Sequence, residues 1–341
     1  MQLRALAPGL LLALACVAAA SVVVGATPVS LAQLGHSLQV LVQTLSAHAD
    51  PAGWSMTDRI VLDLRLPRTL LAVLVGAGLA LVGALLQTTT RNELSDPFLF
   101  GLSSGSAAGA VAVITLSGEL ASAMGIWALP LAAFAGGMTS AAVVLLLLRR
   151  FRSHAPEQMI LAGLSVSFLF TALTYYFIFL GDQRAAQSVL HWTMGGLGAA
   201  RWDGLFVPLA GLLALAVFAW RRLPALDAML AGENTAHSLG IDPQRLRVQV
   251  FIACAFATAC FVAVSGVIGF VGLMVPHLAR RLAGALHRGV LLLSALMGAT
   301  LLLLSDLLSR TVLAPQELPV GIVTAGVGAL FVMRNLFVHA E

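Results

Sequence analysis

Apolar runs long enough to cross a bilayer alternate with short polar loops along most of this chain. They fall at 5–27, 64–87, 98–117, 124–149, 157–181, 203–222, 246–267, 270–284, 289–309 and 319–338. Lipid offers no hydrogen-bond partners, so a spanning backbone must be helical or a closed barrel. These runs are continuous and do not alternate with period two, so they predict helices. The expected fold is an all-α polytopic membrane protein of about ten helices, one membrane domain over residues 1–341. The third and eighth runs are short or interrupted by Gly and Pro. The start resembles a secretion signal, with Arg4 ahead of an apolar stretch. That stretch continues from Ala5 to about Thr27, longer than a signal core, so it is expected to be a retained first span.

Composition sharpens this picture. The 341 residues are 59% hydrophobic and 10% charged, against about 25% charged in soluble domains. All 19 basic residues are Arg. A chain without Lys cannot supply the lysine of a phosphate-binding loop, so any ATP used must be bound by another chain. The three Cys lie in apolar runs with no paired spacing, and no metal or cofactor motif is present. The net charge of +4 is too small and too interrupted for nucleic acid.

Arg placement sets the orientation. With the N-terminus inside, the inner loops carry Arg91, Arg149, Arg150, Arg152, Arg221, Arg222, Arg245, Arg247, Arg280, Arg281 and Arg288. Arg59, Arg65, Arg68 and Arg310 fall instead at outer ends of spans. Two readings stand on charge alone: snorkelling or pairing with Asp58, Asp63 and Asp306, or a basic surface for an acidic partner. The inner stretch 221–247 is polar and too small for a domain. It reads as a docking element for a cytoplasmic partner or as an ordinary loop.

Gly101-Leu102-Ser103-Ser104-Gly105 matches the G-x-S-x-G pattern of a hydrolase nucleophile. That pattern needs a strand-to-helix turn and a histidine base, and Phe98 to Val113 reads as a helix start with Asp96 as cap and Pro97 at the first position. Gly101, Gly105 and Gly109 form a double G-x-x-x-G, which favours close helix packing over an intramembrane serine hydrolase. A proton- or sodium-coupled carrier would need acids buried in the membrane. Asp63, Asp306 and Glu317 lie near outer ends.

Five segments, in order, resemble the permeases of type II ABC importers for iron-siderophores, haem and cobalamin. They are RLPRTLLAVLVGAGLALVGALLQ (65–87), RNELSDPFLFGLSSGSAAGA (91–110), GENTAHSLGIDP (232–243), SGVIGFVGLMVPHLARRLAG (265–284) and ELPVGIVTAGVGALFVMRNL (317–336). The likeness runs from about residue 60 to the end and more loosely over the first span. It implies a multi-pass bacterial inner-membrane permease, not an enzyme, passing an iron complex from periplasm to cytoplasm, with haem or cobalamin as alternative cargo. Implied partners are a cytoplasmic ABC ATPase, a periplasmic binding protein, a second permease subunit in a homodimer, and membrane lipid. The segment at about 224–243 would dock on the ATPase, with Gly232, Glu233, Ala236, Leu239 and Gly240 as matching positions. Arg65, Arg68 and Arg310 match positions that receive acidic residues of the binding protein. The fifth span would line the pathway, with Ser165, Ser167, Thr171 and Thr174 giving mild polarity or only bonding backbone carbonyls. Ser153-His154-Ala155-Pro156 would help close the inner end. Two departures stand out: Glu93 and Ser95 in RNELSDP where relatives often read RNPLADP, and the polar run Thr88-Thr89-Thr90 before it.

Overall fold

The computed structural model describes residues 2–25, 27, 29–47, 54–116, 124–150 and 155–338. Each of the ten predicted runs is a helix. They are α1 (Gln2–Val23), α3 (Met56–Thr90), α4 (Leu102–Leu116), α5 (Ala128–Leu148), α6 (Pro156–Leu180), α8 (Phe206–Leu230), α10 (Pro243–Ser265), α11 (Val271–Ala283), α12 (His287–Thr311) and α13 (Val320–Val338). Among the described residues, three further α-helices lie between them: α2 (Leu31–Ala47), α7 (Gln183–Thr193) and α9 (Glu233–Ser238). Among the described residues, seven helices are long and apolar enough to cross a bilayer. The fourth and eleventh, of 15 and 13 residues, are the short ones, as the Gly and Pro content predicts.

The core sits around α3, whose residues from Val75 to Thr90 are all buried. It packs against α8, α10, α11 and α12, while α1 lies outside against α12. Small residues set the spacing. A Cβ at Gly83 would stand 1.8 Å from the Gly272 oxygen, so α3 and α11 touch backbone to backbone. The Gly101 repeat has the same role between α4 and α5: a Cβ at Gly105 would stand 2.6 Å from the Gly136 oxygen, and one at Gly109 2.1 Å from the Ala132 oxygen.

Three details differ from expectation. The fourth helix begins at Leu102, not at 97–98. Gly101 at φ +75° interrupts the backbone, and Asp96 caps a turn by accepting from the Phe98 N–H at 2.9 Å. The eighth helix continues through Pro224 to Leu230, eight residues beyond the apolar run, because ALDAML is helix-forming though amphiphilic. Within α3, Ile60–Arg65 is a π-helical turn, which swings Arg65 inward and leaves Asp63 exposed.

Candidate functional site

At the outer end, three arginines converge. Arg65 Nη1 donates to the Val22 and Val23 oxygens at 2.8 Å each, and Nη2 donates to the Thr27 oxygen and to Thr27 Oγ1. Arg310 donates to the Ser21 oxygen at 3.2 Å and to Ser21 Oγ at 2.8 Å. The last carbonyls of a helix lack intrahelical donors and carry its negative dipole end, so both guanidiniums cap α1. Arg68 pairs with Asp306 Oδ1 and with Glu317 Oε2, each at 2.8 Å. Arg310 Nε lies 3.1 Å from the other Asp306 oxygen, an ion-pair distance without hydrogen-bond alignment. Three guanidiniums therefore face two carboxylates, leaving one positive charge in excess. Arg65 and Arg310 are buried. Arg68 keeps 12% of its side chain exposed and Glu317 keeps 51%. Asp58 takes hydroxyl bonds from Ser37 and Ser55, and Arg59 is exposed.

In the middle lies a cavity of about 740 Å³ with an almost wholly apolar wall. The α3–α4 loop gives Asn92, Asp96 and Phe98, the end of α7 gives Met194, the α10–α11 link gives Phe270, and α13 gives Ile322. Gly266 and Phe270, both at positive φ, fold that link into the bundle, where Gly269 meets the Phe98 ring. Asp96 is the acid of this wall. Burial raises its carboxyl to about 6 from the ordinary 3.8, against the lowering effect of the Phe98 N–H. Sequence reasoning treated Asp96 only as a cap.

The hydroxyls of α6 do not line this cavity. Ser165, Thr171 and Thr174 donate to the Leu161, Ser167 and Phe170 oxygens of their own helix, and Thr174 is buried. Ser167 reaches the cavity loop, donating to the Phe98 oxygen at 3.1 Å and meeting Ser104 Oγ at 3.2 Å. Ser103 is buried, at 2% exposure. Ser153 and His154 lie outside the described residues.

At the inner end, Gly232 at φ +111° opens α9 and Gly240 at φ +78° follows it. Ala236 is fully buried and roots this short helix, whereas Leu239 presents 65% of its surface. Glu233 pairs with the buried Arg247. Glu93 has a partner too: His277 Nδ1 lies 2.8 Å from its carboxylate, and Asn335 Nδ2 lies 3.2 Å from the other ring nitrogen. The polar run before it is wholly buried. Among the described residues no cluster of metal-ligating side chains is present, and the buried acid Asp306 is held between two arginines.

Comparison with known proteins places this architecture. Residues 10–337 match the FecCD transport family. The Fe(3+)-citrate import permease YfmE of Bacillus subtilis is 40% identical over 285 residues, covering 83% of each chain. The hemin transport permease HmuU of Yersinia pestis is 36% identical, covering 79% of this chain and 80% of its own. The vitamin B12 import permease BtuC of Salmonella paratyphi A is 35% identical, covering 87% and 91%. A solved inward-facing structure assigned to the metal-chelate type of ABC transporter superposes at a TM-score of 0.83 with 30% identity, over 99% of this chain and all of that one. The helix order, the packed glycines and these likenesses agree, and the chain belongs to the FecCD transport family: it is a multi-pass inner-membrane permease of the type II ABC importers, not an enzyme.

Proposed function

We propose that this permease passes a ferric chelate from periplasm to cytoplasm, in a homodimer driven by a separate cytoplasmic ATPase and fed by a periplasmic binding protein. The observation that carries the reading is the large, nearly apolar cavity. A bare metal ion needs several oxygen or nitrogen ligands to replace its water. A wall with one carboxylate, too few ligands for a bare ion, suits a cargo whose metal is already wrapped. Weak wall contacts also let the cargo leave. In the dimer, a second copy faces the cavity, and the exposed Ser165 together with Ser167 and Thr171 of α6 extends its wall toward the pathway. Exposed rings such as Phe168 and Phe179 meet lipid or the second copy.

The binding protein docks on the outer arginine cluster. Its excess positive charge attracts carboxylates, and the planar guanidinium of Arg68 can pair with them bidentately. Arg65 and Arg310 supply field and hold α1 in place. The ATPase receives α9 and Leu239, with Gly232, Glu233, Ala236 and Gly240 shaping that surface. Identity to a ferric-citrate permease supports iron as cargo, and likeness to haem and cobalamin permeases keeps those two as the competing cargoes. Uptake into vesicles holding the assembled complex, with ferric citrate, a ferri-siderophore, haem and cyanocobalamin offered in turn, decides among them. Uptake of haem or cobalamin alone would refute the iron assignment.

A further inference from the structure

The polar run that ends α3 has a use that transport through a bland cavity does not explain. Gln87, Thr88, Thr89 and Thr90 are all buried, and each is tied to a different element. Gln87 donates to the Gly272 and Leu273 oxygens of α11 and accepts from Arg280 at 2.7 Å. Thr88 Oγ1 lies 2.8 Å from His287 Nε2 of α12, whose other nitrogen lies 2.7 Å from Asp227 of α8. Thr90 meets Ser95 of the cavity loop at 2.6 Å. The Thr89 oxygen, in the last turn and without an intrahelical donor, accepts from Arg247 Nε of α10 at 3.1 Å. The same guanidinium pairs through Nη2 with Glu233 of α9. Its side chain is 2% exposed, so this ion pair is desolvated on one side.

These ties converge. The helices that flank α9 are both tied to the last turn of α3: the end of α8 through Asp227 and His287, and the start of α10 directly through Arg247. In α9 itself, Asn234, Thr235, His237 and Ser238 are exposed, and Ala236 and Glu233 face the bundle. From Thr90 the third helix then runs about 25 residues, roughly 38 Å at 1.5 Å per residue, to Arg65, with Arg68 one turn nearer, at the outer face. We propose that the Arg247–Glu233 pair is the joint through which the ATPase-facing helix moves α3, with Arg247 a positioning residue for coupling ATP hydrolysis to transport. Displacing α9 must either carry Arg247 with it, pulling on the Thr89 oxygen at the end of α3, or separate a buried arginine from its carboxylate, which is strongly unfavourable. Because α3 is buried along its inner length and bonded to α11 and to the cavity loop, its movement reshapes the cavity wall.

The joint rests on the importer reading, and the test separates the two. The full permease is assembled in nanodiscs with its ATPase. ATP turnover is measured with and without the loaded binding protein, alongside cargo delivered per ATP in vesicles. Arg247→Gln should still capture the ATPase and keep basal turnover, while binding-protein stimulation and cargo per ATP fall roughly tenfold, within the range seen for coupling networks. Arg247→Lys, which keeps the charge but loses the planar fork, should recover part of both. Glu233→Gln, at a half-exposed site that tolerates the change, should lower cargo per ATP in the same direction. A merely structural role would lower basal turnover and stimulation together. Wild-type cargo per ATP in Arg247→Gln and Glu233→Gln overturns the joint, as does loss of ATPase capture in these variants, which would make the pair only a support for the docking surface. Wild-type protein that captures no ATPase removes the importer reading, and the joint with it.

Discussion

Replacing Gly83 by Ala tests whether the α3–α11 contact holds the cavity wall. The added Cβ would stand 1.8 Å from the Gly272 oxygen, 2.5 Å from its carbon and 2.6 Å from its Cα. Ordinary contact begins at 3.4 Å, so α11 must retreat by about 1.6 Å, the difference between those two distances. Gln87 Nε2 bonds the same stretch at 3.2 and 3.1 Å, and that shift breaks both bonds. Overpacking costs about 1–3 kcal/mol, and two lost hydrogen bonds cost about 1 kcal/mol each. The helix preference of Ala over Gly returns up to about 1 kcal/mol. The expected net loss is about 2–4 kcal/mol. The assay is heat-induced loss of the monodisperse peak of the detergent-purified chain, read beside Gly9→Ala, where nothing lies within 4 Å of the new methyl. A Gly83→Ala protein as heat-stable as Gly9→Ala refutes the reasoning.

Further expectations follow from other sites. Asp96 binds its proton more tightly in the fold, at about 6 against 3.8. Its contribution is therefore complete at acid pH and is lost as pH rises through about 4 to 6, a loss of about 3 kcal/mol. Asp96→Asn keeps the acceptor for the Phe98 N–H and should flatten the fall in melting temperature across that window; an unchanged slope contradicts the burial argument. Ser103→Ala should leave cargo uptake within about twofold of wild type, as expected of a packing residue; a well-folded but inactive variant would reinstate a nucleophile. Glu317 competes for Arg68, so Glu317→Gln should tighten binding-protein capture by on the order of threefold and Arg68→Gln should weaken it, both effects fading with added salt. Capture insensitive to both changes would remove docking from the arginine cluster.

The ten apolar runs were legible because lipid imposes a run length, and each run became a helix, although α3 begins eight residues before its run and α8 ends eight residues after its own. The short third and eighth runs were legible from their glycines and proline. The place of α9 was readable from the polarity of 221–247 and from the likeness of GENTAHSLGIDP to the importer permeases. Of the partners distant in sequence, Asp306 was readable as a counter-charge for the outer arginines, but most others were not. Arg65 and Arg310 look like outward charges, yet their ligands are backbone carbonyls at the end of α1, which leave no mark in side-chain chemistry. Thr88, Thr89 and Thr90 looked merely unusual, because their partners His287 and Arg247 lie about 150–200 residues away. The early end assigned to α8 reflects a different limit: an apolar run measures the bilayer, whereas a helix continues into water while its residues favour it.

As a FecCD-family permease, this chain is the membrane half of an ATP-driven importer. The most direct measurement is ATP turnover and cargo uptake by the permease reconstituted with its cognate ATPase, with and without binding protein loaded with a ferric chelate. Loaded binding protein should raise turnover, and cargo should appear inside the vesicles in proportion to ATP consumed. Capture of no ATPase, or cargo entry without ATP, would contradict this reading.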